Sequence, residues 1–546
     1  MDRRKFFKTT AISAAGLSLV PKEVLKAEEK AGSGYFGVNN FVENNHDAVF
    51  IMRTDVDKKT NSAKIYSTGI EFAKSVLVSK KEGEQGAIPV SNFIAIKPNI
   101  TLRFNFDDNY TVEGTMGIVT DAFFVEGFVE RLKEFGVNNN KIHLVETNYD
   151  GDDLADGGYI DMVNRTGINL KDLSDGVGGI SEDDIVWQNV INGTYFKKIP
   201  YIFPVNAPNS WLLNIAKLKA HSMGITSCAK NLQGTIVKNY QEHCRRITSG
   251  NPSDVPDAHL VPGRKDKIIA NYFKHCDTIP RWNRPGDQGG IWQETWATRC
   301  LDNNSTINVG LHIIEGIYGR DGNFIKGPSK GDNTDRGFAT DYMSNVIIFG
   351  KNPFNVDNIA HWIAGHEPGN FGLFHMAIER GLASELNPMK IPVYEWKSDG
   401  TATLTPLTDF NRTPLKTKYL QRDYDEQGEY LWHMCDEEYN YDTTSVESEE
   451  KTEVPTSYSL EQNYPNPFNP STKIEFSISK AGHTNLSVFN ERGQKVATIL
   501  NKNLEAGKYT YDFDASSINL QLSSGRYFYR LESAGFSKTK KMVLTK

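Results

Sequence analysis

From Asp47 to about Asn440 the chain alternates short apolar runs with stretches of helical period. AVFIMR (48–53), FIAIKP (93–98) and KIHLVE (141–146) have the length and apolar content of buried strands. Between the last two, Ala122, Val125, Phe128, Val129 and Leu132 recur on one side of a helix over Thr120–Phe135, ended by Gly136. A second helix is predicted over Ser67–Ser79. Strand, helix and strand in this order predict an α/β fold, a mainly parallel sheet with flanking helices, whose ligands sit at the carboxyl ends of the strands. Lys97, Asn99, Glu146 and Asn148 fall at such ends. Further on, GLHIIEG (310–316) and NVIIFG (345–350) read as strands, and Val356–Ala364 and Phe371–Arg380 as helices. Gln241–Asn304 carries Trp282, Trp292 and Trp296, several prolines and three cysteines, and reads as an irregular insertion or lid whose aromatics pack on the main sheet.

One stretch stands out from this pattern. WLLNIAKLKAHSMGITSCAKNLQG (211–234) opens apolar, as a buried strand does, then places Lys217, Lys219 and His221 at a spacing of two. An extended backbone puts such residues on one face. Lys230 and Asn231 follow, and Gly224 and Gly234 let the backbone turn or approach a ligand closely. Two readings fit: a solvated edge strand with a polar loop, or an anion-binding site. Asp357 and His361, four apart at a helix start, share a face, and with His366 and His375 nearby they suggest a metal site. Asp357 equally suits a first-turn acid favoured by the helix dipole. The loop Gly319-Arg320-Asp321-Gly322, with Gly327, Pro328 and Gly331, offers backbone amides to an oxyanion or is a plain surface loop.

Composition narrows the chemistry. A net charge of −7, with no basic arm, gives no nucleic-acid footprint. No segment is long and apolar enough for a spanning helix. The five cysteines (228, 244, 276, 300 and 435) contain no CxxC, which disfavours a ferredoxin-type cluster and leaves cofactor and metal unassigned. Cys228 reads as a small buried thiol. No catalytic triad, two-histidine zinc helix or phosphate loop is present, which argues against a standard hydrolase, protease or kinase.

The ends of the chain read differently. Residues 1–30 have a basic start, a mildly apolar core and a loose Leu25-Lys26-Ala27 cleavage pattern, as in a signal peptide. Arg3 and Arg4 beside Phe6 and Phe7 resemble a twin-arginine signal, which implies the twin-arginine translocase as a partner. Residues 441–457 are acidic and Ser/Thr-rich with little to bury, a flexible linker that closes an α/β domain over 45–440. From 458 to 546 short alternating strands such as KIEFSI (473–478), separated by Arg492-Gly493, Ala506-Gly507 and Ala534-Gly535, predict a small all-β immunoglobulin-like sandwich.

Two resemblances follow from these residues. KLKAHSMGIT…KNLQG, IAIKPN (94–99), IIEGIYGRDGNFIKGP (313–328) and FGKNPFNVDNIAHWIAG (349–365) resemble, in order, the motifs of domain of unknown function family 362, over roughly residues 45–385. The family's chemistry is not established. The resemblance adds weight to Asp357, whereas Glu315 stands where an aspartate is expected. SLEQNYPNPFNP, FNERGQKVATIL and SGRYFYRLESAGFSKTKKMVL resemble the C-terminal sorting domain of the type IX secretion system, and also the flagellar-hook-cap immunoglobulin-like domain. This implies the type IX machinery as a partner and an exported protein, reaching the surface or the medium through the periplasm.

Two classes of function therefore stay open. In one, the α/β domain is an enzyme on a small anionic substrate or in a redox- or metal-linked reaction. His221, Lys219 and Lys230 would be the catalytic candidates, and Lys97, Asn99, Lys217, Asn231 and Asp357 would bind. In the other, the same residues form a non-catalytic ligand- or metal-binding surface protein.

Overall fold

The computed structural model describes residues 34–100, 117–147, 154–155, 157–172, 180–221, 224–237, 240, 247, 253–282, 290–320, 341–413, 415, 438–441, 457–463, 466–504, 506–515 and 522–545. The chain divides into two compact units, 1–441 and 442–546. Residues 1–33 and 442–456, which hold the expected signal and most of the linker, lie outside the described residues.

The first unit is built on a nine-stranded sheet. Its strands run in the spatial order Ala402–Leu404, Val393–Trp396, Val49–Arg53, Val346–Gly350, Leu311–Gly316, Ser210–Lys217, Phe93–Pro98, Ile142–Glu146 and Asn169–Asp172. The last five form a parallel block. Val346–Gly350 departs from a parallel sheet, antiparallel to both neighbours. The edge strand Ala402–Leu404 is antiparallel as well.

Successive residues of each strand point to opposite faces, so each strand feeds two cores. Ile94, Ile96, Leu213, Ile215, Ile313 and Phe349 pack with Phe72, Phe124 and Phe128 of the helices Ser62–Val76 and Ala122–Glu134. Ile51, Ala216, Ile314 and Ile348 pack on the other side with Val356, Ile359 and Ile363 of the helix Pro353–Ile363. The first two helices cross at glycines: a Cβ on Gly127 would lie 2.4 Å from the carbonyl carbon of Gly69. The helix expected over Ser67–Ser79 starts earlier, at Ser62. There the Asn61 side chain accepts the Lys64 N–H, and the helix passes at Leu77 directly into a strand.

The middle of the chain corrects the sequence reading. Among its described residues it supplies the helices Arg264–His275 and Gly290–Asn304. Gly290–Asn304 buries Gln293, Glu294, Thr298, Arg299, Asp302 and Asn303 beside its apolar residues, so no polar stripe marks it in the sequence. Trp282 and Trp296 pack with Tyr272, Leu301, Leu373 and Met376, a cluster of helices rather than the sheet itself.

The second unit has two antiparallel sheets. One contains Ser459–Leu460, Ser471–Ile478 and Gly507–Asp514; the other contains Lys495–Leu504, Gly482–Asn490, Gly525–Ser533 and Phe536–Leu544. Ile474, Phe476 and Ile478, the alternating set seen in the sequence, join Leu486, Val488, Tyr529, Leu531 and Met542 in one apolar cluster.

Two tests follow. Limited proteolysis should cut first between Tyr441 and Ser457 and leave two fragments that each unfold cooperatively, because each unit has its own core. Early cleavage within 341–413 would refute that boundary. The second test concerns His275, whose Nδ1 lies 2.9 Å from Glu294 Oε2 and whose Nε2 lies 3.0 Å from Glu379 Oε1, joining three helices. Burial opposes its charge, but the hydrogen bonds and attraction of both carboxylates outweigh it and raise the imidazole to about 9 from 6.5. A group raised in the folded state contributes fully below its unfolded value and loses that contribution as pH rises through the folded one. The melting temperature should therefore fall between pH 7 and 10 by several degrees more in the wild type than in His275→Gln. Parallel curves would refute the assignment.

Candidate functional site

Lys97 is the penultimate residue of the strand Phe93–Pro98, and the adjacent parallel strand Ile142–Glu146 ends in Glu146. Lys97 Nζ donates to Glu146 Oε2 at 2.7 Å, to the Pro98 carbonyl at 2.6 Å and to Asn231 Oδ1 at 3.2 Å. Both side chains of the ion pair are almost wholly buried. Burial disfavours both charges, pushing the Lys97 amine down and the Glu146 carboxyl up, and their mutual attraction opposes each shift. Backbone N–H groups of Ile100 and Thr147 complete the shell of Glu146, at 2.9 Å each.

Asn231 ties this pair to the next strand. Its Nδ2 donates to the Lys97 carbonyl at 3.1 Å and to Asn214 Oδ1 at 2.8 Å, and its Oδ1 accepts from Asn99 Nδ2 at 3.0 Å. Asn214 stands directly opposite Lys97 in the parallel register of Ser210–Lys217 with Phe93–Pro98. Gly234 closes over the ion pair: a Cβ there would lie 2.5 Å from Glu146 Oε1 and 2.6 Å from Lys97 Cε. Lys97, Asn99 and Asn231, proposed separately from the sequence, thus meet in one hydrogen-bonded group.

Lys217 belongs to a second pair. Its Nζ lies 2.6 Å from Glu315 Oε2, at the end of the next parallel strand Leu311–Gly316, and 3.5 Å from the centroid of the Tyr318 ring. Glu315 also accepts the N–H groups of Asp121 at 3.2 Å and Ile317 at 3.0 Å, while the Tyr318 hydroxyl donates to Asp121 Oδ2 at 2.7 Å. Burial pushes the Glu315 carboxyl up, against the attraction of Lys217. Lys97 and Lys217, two of the expected ligand-binding lysines, thus each carry a buried glutamate.

Lys219 and His221 leave the sheet. The expected single extended face stops at Lys217, and Leu218 turns the chain, its N–H bonded to the Glu315 carbonyl at 2.9 Å. Lys219–His221 then pairs antiparallel with Gly224–Thr226 in a small hairpin, with Lys219 opposite Thr226 and His221 opposite Gly224. Lys219 Nζ donates to the Ile118 carbonyl. Burial holds its amine well below the ordinary lysine range, as do the like charges of Lys230, Arg320 and Lys217; Glu146 opposes them. Ser222, Asn148 and the loop residues from Asp321 to Gly331 lie outside the described residues.

Asp357 is fully buried in Pro353–Ile363 and accepts the N–H groups of Cys228 at 2.7 Å and Ala229 at 2.9 Å. It therefore holds the start of the short helix Cys228–Asn231, whose last two residues are Lys230 and Asn231. Burial outweighs these hydrogen bonds and raises its carboxyl to about 7. The histidines thought to join it are turned elsewhere. His361 Nδ1 donates to the Asp357 carbonyl at 2.7 Å, His366 Nε2 to Leu415 at 3.3 Å and His375 Nε2 to Gly369 at 2.8 Å. Among the described residues no group of three or more His, Cys, Asp or Glu is arranged to hold a metal ion. Cys228 and Cys300 are buried free thiols raised by burial, not activated thiolates.

The sequence reading missed Asn214, Asp121 and Tyr318. A lone asparagine inside the apolar run WLLNIA was the available signal for the first.

The class is an α/β domain joined to an all-β sorting unit. Residues 94–361 match the family described as Domain of unknown function (DUF362), and residues 462–545 match the Secretion system C-terminal sorting domain. The chain carries both domains, and the second marks an exported protein of the type IX pathway bound for the cell surface or outer membrane. No helix among the described residues is long and apolar enough to cross a membrane. No curated protein matches the chain. Among solved structures it is similar to dimeric latent PorU from Porphyromonas gingivalis, at 17% identity over 16% of this chain and 9% of that one, TM-score 0.14. It is also similar to the Ig1 domain of mouse SynCAM 2, at 17% identity over 14% of this chain and 81% of that one, TM-score 0.10. Both likenesses cover only a small part of this chain.

Gly234→Ala tests the closeness of the packing. A methyl group placed on the Lys97–Glu146 pair should cost roughly 1–3 kcal/mol of stability, read by denaturant unfolding. An unchanged midpoint would show that the turn moves away freely.

Proposed function

We propose that the first unit binds a small anionic ligand at the carboxyl ends of Phe93–Pro98 and Ser210–Lys217. The observation that supports this reading best is topological. From Phe93–Pro98 the chain builds outward through Ile142–Glu146 to Asn169–Asp172, then returns to place Ser210–Lys217 on the other side. Such reversals open a crevice at the carboxyl ends of the strands, where ligands of α/β sheets bind. The buried polar group of Lys97, Asn99, Glu146, Asn214 and Asn231 lies at this reversal.

In this reading Lys97, Asn99, Lys217 and Asn231 form the fixed frame. Asp357 acts through the helix Cys228–Asn231 as a positioning residue. Lys219 and Lys230 stabilise negative charge on the ligand, and His221 transfers protons near neutral pH if the ligand is turned over. Binding without turnover uses the same frame and differs only in the absence of product.

The second unit is proposed to be an immunoglobulin-like sandwich by architecture, and residues 1–30 a twin-arginine signal. Export through both systems fits a domain delivered folded.

Isothermal titration of the full-length exported protein against a panel of small anions should find at least one ligand. Lys219→Ala should weaken it at least tenfold, about 1.4 kcal/mol. His221→Ala should remove any turnover and weaken binding less than Lys219→Ala. If no anion binds, the reading fails. Replacing Arg3 and Arg4 by lysine should hold the precursor in the cytoplasm, and truncation after Thr456 should leave the protein in the periplasm. Surface delivery of the truncated form would contradict the role of the second unit.

A further inference from the structure

The hairpin of Lys219–His221 and Gly224–Thr226 has two unlike faces. Ala220 and Ile225 pack into the apolar cluster with Leu218 and Val356. The alternation of a strand puts Lys219, His221 and Thr226 on the other face, with Lys219 and Thr226 directly opposite one another. This polar face is itself buried: Lys219 is 1% exposed, His221 6% and Thr226 0%. Among the described residues the Thr226 hydroxyl has no hydrogen-bond partner, a costly state for a buried polar group.

Arg320 comes to the same place from another strand. A Cβ on Gly319 would lie 2.4 Å from the Leu218 carbonyl, so the short strand Gly319–Arg320 runs against the root of the hairpin, and Arg320 is 4% exposed. Lys219 and the Thr226 hydroxyl on the hairpin and Arg320 on the abutting strand thus meet at one face. Lys230, Arg320 and Lys217 act on Lys219 as like charges, in that order, and Glu146 opposes them.

We propose that the hairpin face of Lys219, His221 and Thr226, with Arg320 and Lys230, is the subsite for a phosphoryl group of the ligand. This rests on the anion-binding reading above and names its substrate class. A carboxylate brings one charge and two oxygens. A phosphoryl group brings a charge of about −1.5 to −2 and three strong acceptor oxygens. It can take the Thr226 hydroxyl proton as one hydrogen bond, the guanidinium fork as a second contact and an ammonium as a third. Thr226 would then be a specificity-determining donor, partnered only when the ligand is bound.

The test uses the full-length protein, titrated with inorganic phosphate, pyrophosphate, acetate and succinate. Phosphate or pyrophosphate should bind at least tenfold more tightly than either carboxylate. Thr226→Val keeps the shape and removes the hydroxyl. It should weaken phosphate at least fivefold while the melting temperature of the ligand-free protein stays the same or rises, since the lost hydroxyl had no partner. Arg320→Gln should weaken pyrophosphate more than acetate. Succinate binding as tightly as phosphate would overturn the phosphoryl assignment and leave the anion reading standing. Silence toward all four probes would overturn the assignment too, and the wider anion panel then decides whether the anion reading falls with it. Unchanged phosphate affinity in Thr226→Val would remove Thr226 from the site.

Discussion

The burial of the Lys97–Glu146 ion pair is the constraint on which the rest of the first unit depends. Taking an ammonium and a carboxylate out of water costs several kcal/mol per ion, recovered only when geometry and further hydrogen bonds are nearly complete. Here every neighbouring element supplies part of that completion. The Ile100 and Thr147 amides come from the two strand ends, Asn231 from a helix, and Gly234 supplies the absence of a side chain. None of these can shift by an ångström without leaving a charge unsatisfied. The pair therefore fixes the spacing of the two strands and the helix at the point where the chain reverses.

The same logic links the site to the helix packed on its own face of the sheet. Asp357 is anchored in Pro353–Ile363, whose Val356 shares a core with Cys228, and its carboxylate receives the first amides of Cys228–Asn231. Movement of that helix is transmitted to Lys230 and Asn231 by two hydrogen bonds to one side chain. With its carboxyl raised to about 7, Asp357 sits where a modest pH change alters its charge. Its folded value lies above the unfolded one, so the ionised form is the less favoured in the fold and stability falls as pH rises toward and through 7. The two amides limit that loss, because they bond the ionised form better than the neutral one.

Much of this frame was legible in the sequence, for physical reasons. Buried strands such as FIAIKP and KIHLVE carry apolar runs that nothing else in the chain explains, and their last residues project where a parallel sheet presents its ligands. Lys97, Asn99 and Asn231 were recognised as polar residues at strand ends or in the 211–234 stretch, without their bonds. The pairing was not legible. Lys97 meets Glu146 across 49 residues and Lys217 meets Glu315 across 98, and only the strand order brings them together. A lysine-rich stretch therefore looked more cationic than it is. The helix Gly290–Asn304 was missed because a helix buried on all sides shows no amphipathic period. The spacing of Asp357, His361, His366 and His375 suggested a metal centre, but a backbone carbonyl takes one ring nitrogen of each histidine.

Stability alone does not account for the number of charges buried at these strand ends. A buried ion pair is often matched or bettered by apolar residues of the same volume, so two such pairs on adjacent strands are a poor way to hold a sheet together. They are a good way to hold it rigidly, because each partner is costly to leave unpaired and so accepts only one arrangement. Rigidity at the carboxyl ends of parallel strands has a use when something charged must be received there without reorganisation. In the proposed site Lys97 and Lys217, each held by a glutamate, would supply the fixed frame, and Lys219, Lys230 and Arg320 would meet the ligand beside it.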